Sequence, residues 1–262
     1  MDRKYIYRCE DSVEGIFTAV YEAWASVHRH EENRIEVRMR EWEETFLFAE
    51  YIEVVSDAEK SEKVQRSVRL RVSEEAYEMV MKAALSQEPE KGEVIYRFLI
   101  FAYREGPKAC KSYGNPWAMK LFEIVRNFEN ESHHLKGFLR FEGKERGLLL
   151  ARYAPKNNVI GDLMEHFSDR LNTENFMIFD EKRRIAGIHP GGAAWFVYRL
   201  NEEEYQELCR MAQSEDMYTE LWRIFHSRIA IEERKNLLLQ RSNLPLRFRQ
   251  YMPEFQKSVV GN

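Results

Sequence analysis

The sequence predicts an α+β protein: a central, mainly antiparallel sheet with helices, flanked by helical N-terminal and C-terminal regions. Three observations predict this. Apolar residues recur at helical spacing through much of residues 12–134 and again beyond residue 201. Short alternating segments gather between residues 137 and 198. Within them, His189-Pro190-Gly191-Gly192 is a strong turn signal between two strands. A wound parallel sheet is not expected from this order.

Lys4 to Cys9 alternates and is aromatic, so it reads as a strand. Asp11 with Glu14 resembles a capping box, opening a helix from about Ser12 to His28. Ile16, Phe17, Val20, Ala23, Trp24 and Val27 are its expected buried stripe. Residues 31–62 hold eleven acidic and four basic side chains, so a solvated surface with one short strand near Phe46–Val55 is expected. Helices follow from Ser56 or Asp57 to Arg71, from Ser73 to Ser86 and from Lys91 to Tyr103. Asn115 with Pro116 is a good cap for a helix reaching about His134. Gly137–Phe141 and Leu148–Tyr153 read as paired strands, and Asn158–Leu171 as a helix. Strands are expected at Phe176–Phe179, Arg184–Ile188 and Ala194–Tyr198. Asn201 with Glu204 caps a helix to Met211, and another runs from Asp216 to Leu239. Pro245 opens a last short helix.

Gly106, Pro107, Gly114 and Pro116 mark the best boundary. The expected parts are a mostly helical 1–110 and a sheet-containing 111–262 with basic C-terminal helices, or one continuous domain.

The chain can bury a sizeable core at 262 residues and 44% hydrophobic content. Its net charge of −4 argues against nucleic-acid binding by bulk charge, so any such surface must be local. Cys9, Cys110 and Cys209 are odd in number and far apart, which indicates neither a disulfide framework nor a zinc site. The charged N-terminus is unlike a signal peptide, and no run is long and apolar enough for a membrane helix. A cytoplasmic protein without membrane association is the expectation. No Walker loop, no GxGxxG after a strand, no GxSxG and no HExxH occurs, and no cofactor is expected.

Three weaker constellations remain. Glu131 to Phe141 joins His133, His134, Lys136 and Arg140 with Gly137 at a helix end, a set that suits phosphate. The same cations also complement a helix dipole, and the glycine also ends a helix. Asp162, His166 and Arg170 lie four apart on one helical strip, where His166 can carry a proton. Three polar residues on a solvated face equally need no function. A metal site from Asp162, His166 and Asp169 is poorer, because it lacks a second histidine. Residues 221–251 carry seven Lys/Arg against two acids, interleaved with Trp222, Phe225, Phe248 and Tyr251. That composition can grip a sugar-phosphate backbone and stack on bases. The alternative is that the rings are core and the arginines solubilise.

The ordered motifs His134–Phe141, Tyr153–Val159, His166-Phe167 with Arg170, Ile231–Asn236, Gln240–Pro245 and Tyr251–Glu254 carry a resemblance. So does the opening Asp11–Ala23. The chain resembles a bacterial family of unknown function assigned to DNA repair or DNA metabolism. Its members are encoded beside a radical-SAM protein and are sometimes fused to a uracil-DNA glycosylase-like domain. Residues 30–55 and 183–200 match least. The resemblance implies DNA and a radical-SAM protein as partners. It falls on the candidate positions, so Lys136, Arg140, Arg170 and Arg234 are expected to take phosphate. Asn158, Asn236 and Gln240 are expected to hydrogen-bond bases or backbone. His166 is the expected proton carrier. The leading expectation is a DNA-binding accessory protein. The others are an enzyme acting directly on damaged DNA, glycosylase-like or nuclease-like, with His166 and Asp162 or Asp180 as acid–base residues, and a protein-interaction module.

Overall fold

Aromatic and aliphatic residues alternate along β1 (Lys4–Cys9), and this strand is the centre of a three-stranded sheet. The computed structural model describes residues 3–42, 45–144, 147–213 and 244–255. β1 is flanked by β2 (Ile35–Met39) and β3 (Ala49–Glu53), both parallel to it. The connection from β1 to β2 is α1 (Val13–Ala25), which starts at Ser12, whose hydroxyl accepts from Gly15 N at 3.0 Å. The cap is therefore Ser12 rather than Asp11. Tyr7, Cys9, Val37 and Met39 face a core shared with Ile16, Phe17 and Val20 of α1.

The acid-rich stretch is not a solvated surface throughout, because β2 is buried along its whole length. Its charges are matched: Glu36 accepts from Lys4 Nζ at 2.6 Å and from Arg38 Nε at 3.1 Å. Burial alone would raise the Glu36 pKa, but the bonds from Lys4 and Arg38 hold it below the usual carboxylate range.

Helices α2 (Ala58–Arg71), α3 (Glu74–Ala84) and α4 (Lys91–Glu105) complete this layer. Asp57 and Ser73 cap α2 and α3 through Lys60 N and Ala76 N. On α4, buried Glu93 accepts from Val37 N at 2.9 Å and from Arg97 Nε at 2.6 Å. Arg97 also donates to the carbonyl oxygens of Glu32 and Ile35, so one ion pair ties α4 to the start of β2.

The chain divides into two compact units, residues 1–130 with 156–158, and residues 131–155 with 159–262. The expected break near residue 110 is instead a packed 3-10 turn, Gly106–Lys111, which buries Ala109 and Cys110 in the first core. The division falls inside α5 (Pro116–Phe138). Asn115 caps α5 by accepting from Trp117 N and Ala118 N. The helix continues through Gly137, where a strand was expected, because Leu135 and Leu139 extend its buried side.

The second unit holds a five-stranded sheet in the order β4-β5-β6-β7-β8: β4 (Glu142–Gly143), β5 (Leu149–Tyr153), β6 (Phe176–Asp180), β7 (Ile185–His189) and β8 (Phe196–Arg199). Only β5 and β6 run parallel, and α6 (Ile160–Arg170) connects them. Leu163, Met164 and Phe167 of α6 are buried. α7 (Glu202–Gln213) packs Leu208 and Tyr205 against Leu150 and Phe179. His189 is structural, with its ring stacked on Phe176 at 4.7 Å and its Nδ1 3.0 Å from Glu174 O. No helix among the described residues is long and apolar enough to cross a membrane.

α6 sits so close to β7 that a Cβ on Gly187 would lie 2.3 Å from Met164 Sδ. Gly187→Ala is therefore expected to destabilise the protein by about 1–3 kcal/mol through overpacking. Urea unfolding measures this. Adding Met164→Ala should make the double variant less unstable than the sum of the two single losses.

Candidate nucleic-acid interface

The last turns of α5 present Ser132 and Lys136 four residues apart, with Arg140 just beyond the helix. Along α6, Asp162, His166 and Arg170 repeat the same spacing. On both elements this places the side chains on one strip. The strips meet: Ser132 Oγ donates to Asp162 Oδ2 at 3.1 Å. One turn further along each helix, Lys136 lies near enough to His166 for its charge to act on the imidazole.

His166 is half-buried, and its pKa is lowered. Burial is the largest cause, followed by the charges of Lys136 and Arg170, while Asp169 opposes them. The imidazole is therefore neutral at pH 7 and able to accept a proton or a hydrogen bond. No ion pair neutralises Lys136 or Arg170 among the described residues. Two uncompensated cations thus flank a neutral histidine, an arrangement that favours an anion with several acceptor oxygens.

Arg140 stands differently. Its Nη2 donates to Glu254 Oε1 at 3.0 Å, and its Nη1 donates to the Gly137 and Leu139 carbonyl oxygens. Glu254 is only 4% exposed, so Arg140 is a clamp rather than an open phosphate ligand. A second clamp joins Arg247 to buried Glu131 at 3.2 Å. Between them Phe248, on the short helix Leu246–Arg249, packs against His134 and Phe138. Tyr251 donates to Glu181 at 2.9 Å and holds the same segment. His134 is thus part of an aromatic contact, and Arg247 and Tyr251 of the basic C-terminal stretch are structural.

Asn158 belongs to the first unit. Its backbone N–H donates to Leu85 O at 2.8 Å, and its Oδ1 is buried without a hydrogen-bond partner among the described residues. Asp180 is fully buried and accepts from Lys182 N, Arg183 N and the Arg183 guanidinium. Burial raises its pKa, and its oxygens are committed to the turn after β6. Arg234, Asn236 and Gln240 lie outside the described residues, as does the expected helix from Asp216 to Leu239.

Lys136, His166 and Arg170 are therefore the expected site residues that the structure brings together. Sequence reasoning missed Ser132 and Glu254, and it included Glu131 without its partner Arg247. Ser132 was detectable only as the residue one turn before Lys136. Glu254 carries no local signal, because its partner lies 114 positions away. Among the described residues, no group of three His, Cys, Asp or Glu side chains could hold a metal ion.

A family model for a domain of unknown function, DUF4130, matches residues 89–254, well over half of the chain. The chain belongs to the DUF4130 family. No curated protein matches it. The DUF4130 match starts just before α4 and ends on Glu254, so it spans both strips and both clamps. The three-stranded sheet lies outside the DUF4130 residues.

The clamp and the strips separate in stability measurements. Arg140→Ala removes a charged hydrogen bond from a buried carboxylate and is expected to cost about 2 kcal/mol. Lys136→Ala and Arg170→Ala, which break no ion pair, should stay within about 0.5 kcal/mol of the parent. Chemical denaturation of the three variants checks this.

Proposed function

We propose that the protein is a DNA-binding accessory protein in DNA repair or DNA metabolism, working with a radical-SAM partner. The observation that carries the DNA reading is the pair of cations, Lys136 and Arg170, that no described residue neutralises, beside His166 with its lowered pKa. Cations without counterions bind phosphates by releasing condensed ions from the nucleic acid, whereas paired arginines contribute little. The partner reading rests on the resemblance to the DNA-repair family and on the cysteines. Three thiols at Cys9, Cys110 and Cys209, two of them buried, do not form a cluster-binding set, and burial pushes the Cys9 thiol up to about 12. Iron–sulfur redox chemistry then belongs to the other protein.

Fluorescence anisotropy with labelled single-stranded and duplex oligonucleotides, over a salt series, tests the DNA reading. Affinity should fall steeply with salt. Lys136→Ala and Arg170→Ala should each reduce the salt slope by about 1. Arg140→Ala should leave the slope unchanged. Affinity indifferent to salt, or slopes unaltered by Lys136→Ala and Arg170→Ala, would overturn the reading.

The sign of the pH dependence follows from His166. Its pKa in the free protein lies below the ordinary value, so acidification adds a third positive charge to the site. A bound phosphate favours that protonated form, so DNA affinity should rise as pH falls below about 6.5. His166→Ala should abolish this part of the rise. A parallel titration of parent and variant would refute the assignment.

One observation favours a second reading, an enzyme acting directly on damaged DNA. The lowered pKa leaves His166 competent as a base at neutral pH. Incubating the purified chain with lesion-bearing oligonucleotides tests it. Product formation that His166→Ala abolishes supports this reading, and no product from the parent removes it.

A further inference from the structure

β8 ends the strand order of the second sheet, and its Phe196, Val197 and Tyr198 are 48, 46 and 43% exposed. Proteins usually guard such an edge with lysine, proline, a bulge or a covering segment. The strand Phe-Val-Tyr-Arg has no lysine or proline, and it pairs with β7 in unbroken register. The opposite edge, β4, is only two residues long.

The direction of the backbone groups along β8 follows from the ladder. Leu200 N donates to Arg184 O at 2.9 Å, and these residues continue the register in which Tyr198 faces Ala186 and Phe196 faces Ile188. Hydrogen-bonded and non-hydrogen-bonded pairs alternate in an antiparallel ladder. Phe196, Tyr198 and Leu200 therefore turn their N–H and C=O groups toward β7. Trp195, Val197 and Arg199 turn theirs outward, where no described residue pairs with them.

We propose that β8 pairs antiparallel with β8 of a second copy of this chain, about a two-fold axis at Val197, joining two five-stranded sheets into one of ten strands. Any centre on a residue pairs outward-facing groups with one another, and a centre between two residues is excluded because it would call on groups already bonded to β7. A centre on Trp195 or Arg199 shortens the overlap, and of the three that remain Val197 sets Trp195 opposite Arg199. About Val197, the two Val197 residues and both Trp195–Arg199 pairs exchange backbone hydrogen bonds. Phe196 meets Tyr198 in the closer, non-hydrogen-bonded positions.

The side chains are self-complementary in this register. Residues two apart share a face, so Phe196 and Tyr198 of both copies gather four rings on one face of the joined sheet. On the other face each Arg199 lies across from the second copy's Trp195. Arg199 has no ion pair, and no cation lies over the Trp195 ring, among the described residues. The pairing supplies each with a cation–π partner. This interface does not involve Lys136, His166 or Arg170, and it stands independently of DNA binding.

Strand addition of this length buries less than a standard protein interface, so the expected dimer is weak. Sedimentation equilibrium of the full chain, over about 1–100 µM, should show a monomer–dimer equilibrium. Val197→Lys sets two ammonium groups opposite each other and should weaken dimerisation at least about tenfold. Val197→Pro removes an outward N–H without cutting a β7 bond and should do the same. Far-UV circular dichroism checks that each variant is folded. If the proline variant is misfolded, the surface lysine variant decides. A parent that stays monomeric throughout overturns the proposal, even if its β8 captures another protein's strand. A dimer that Val197→Lys leaves unchanged overturns it as well.

Discussion

The candidate site depends on the registration of two helical strips, Ser132–Lys136 on α5 and Asp162–His166–Arg170 on α6. Neither helix is placed by the site itself. α6 is set by its buried face, where Met164 closes on Gly187 with no room for a Cβ. The end of α5 is set by the clamps Arg140–Glu254 and Glu131–Arg247 and by Phe248 between them. The Ser132–Asp162 hydrogen bond then aligns one strip with the other. Positioning of this kind places charge where water is partly excluded, so each uncompensated cation acts on His166 more strongly than it would in bulk solvent.

Charge matching sets the described cations into two groups, those held by a carboxylate and those that are not. The chain has 40 basic and 44 acidic side chains, and the structure joins many of them. Lys4 meets Glu36, Arg97 meets Glu93, Arg140 meets Glu254, and Arg184 meets Glu202. Breaking a buried pair by removing one partner costs several kcal/mol, so pairs such as Glu93–Arg97 act as struts. An arginine in a strut contributes to stability, and its field is cancelled within a few ångströms. A polyanion therefore senses the unpaired minority rather than the total, which is why a net charge of −4 neither supports nor opposes a local anion site.

Much of this was legible in the sequence, for definite reasons. Local periodicity located β1, the helices α2 to α7 and the strands β5 to β8 to within a few residues, because each carries its own apolar pattern. The strip Asp162–His166–Arg170 was readable for the same reason, since i,i+4 spacing is a local property. β2 was hidden, although Ile35, Val37 and Met39 alternate, because the surrounding acids suggested solvent. Glu36 among them is neutralised by Arg38 on the same strand and by Lys4, 32 positions away, which only the fold brings alongside. Gly137 suggested a helix end, but burial of Leu135 and Leu139 outweighs the modest cost of an interior glycine. Arg140 and Glu254 could not be paired by any local rule.

The matched family residues sharpen the division between scaffold and site. The match includes both members of each clamp, Arg140 with Glu254 and Glu131 with Arg247. The parallel three-stranded sheet is outside the match, yet α4 inside it depends on that sheet, through Val37 N on Glu93 and the Ile35 carbonyl on Arg97. The N-terminal strands are thus more than an appendage: the Val37 N–H adds a second partner to a buried carboxylate that Arg97 of the matched region already pairs. The strips draw their named contacts from the matched region itself: Ser132 on Asp162, Arg140 on Glu254, Arg247 on Glu131 and Met164 on Gly187.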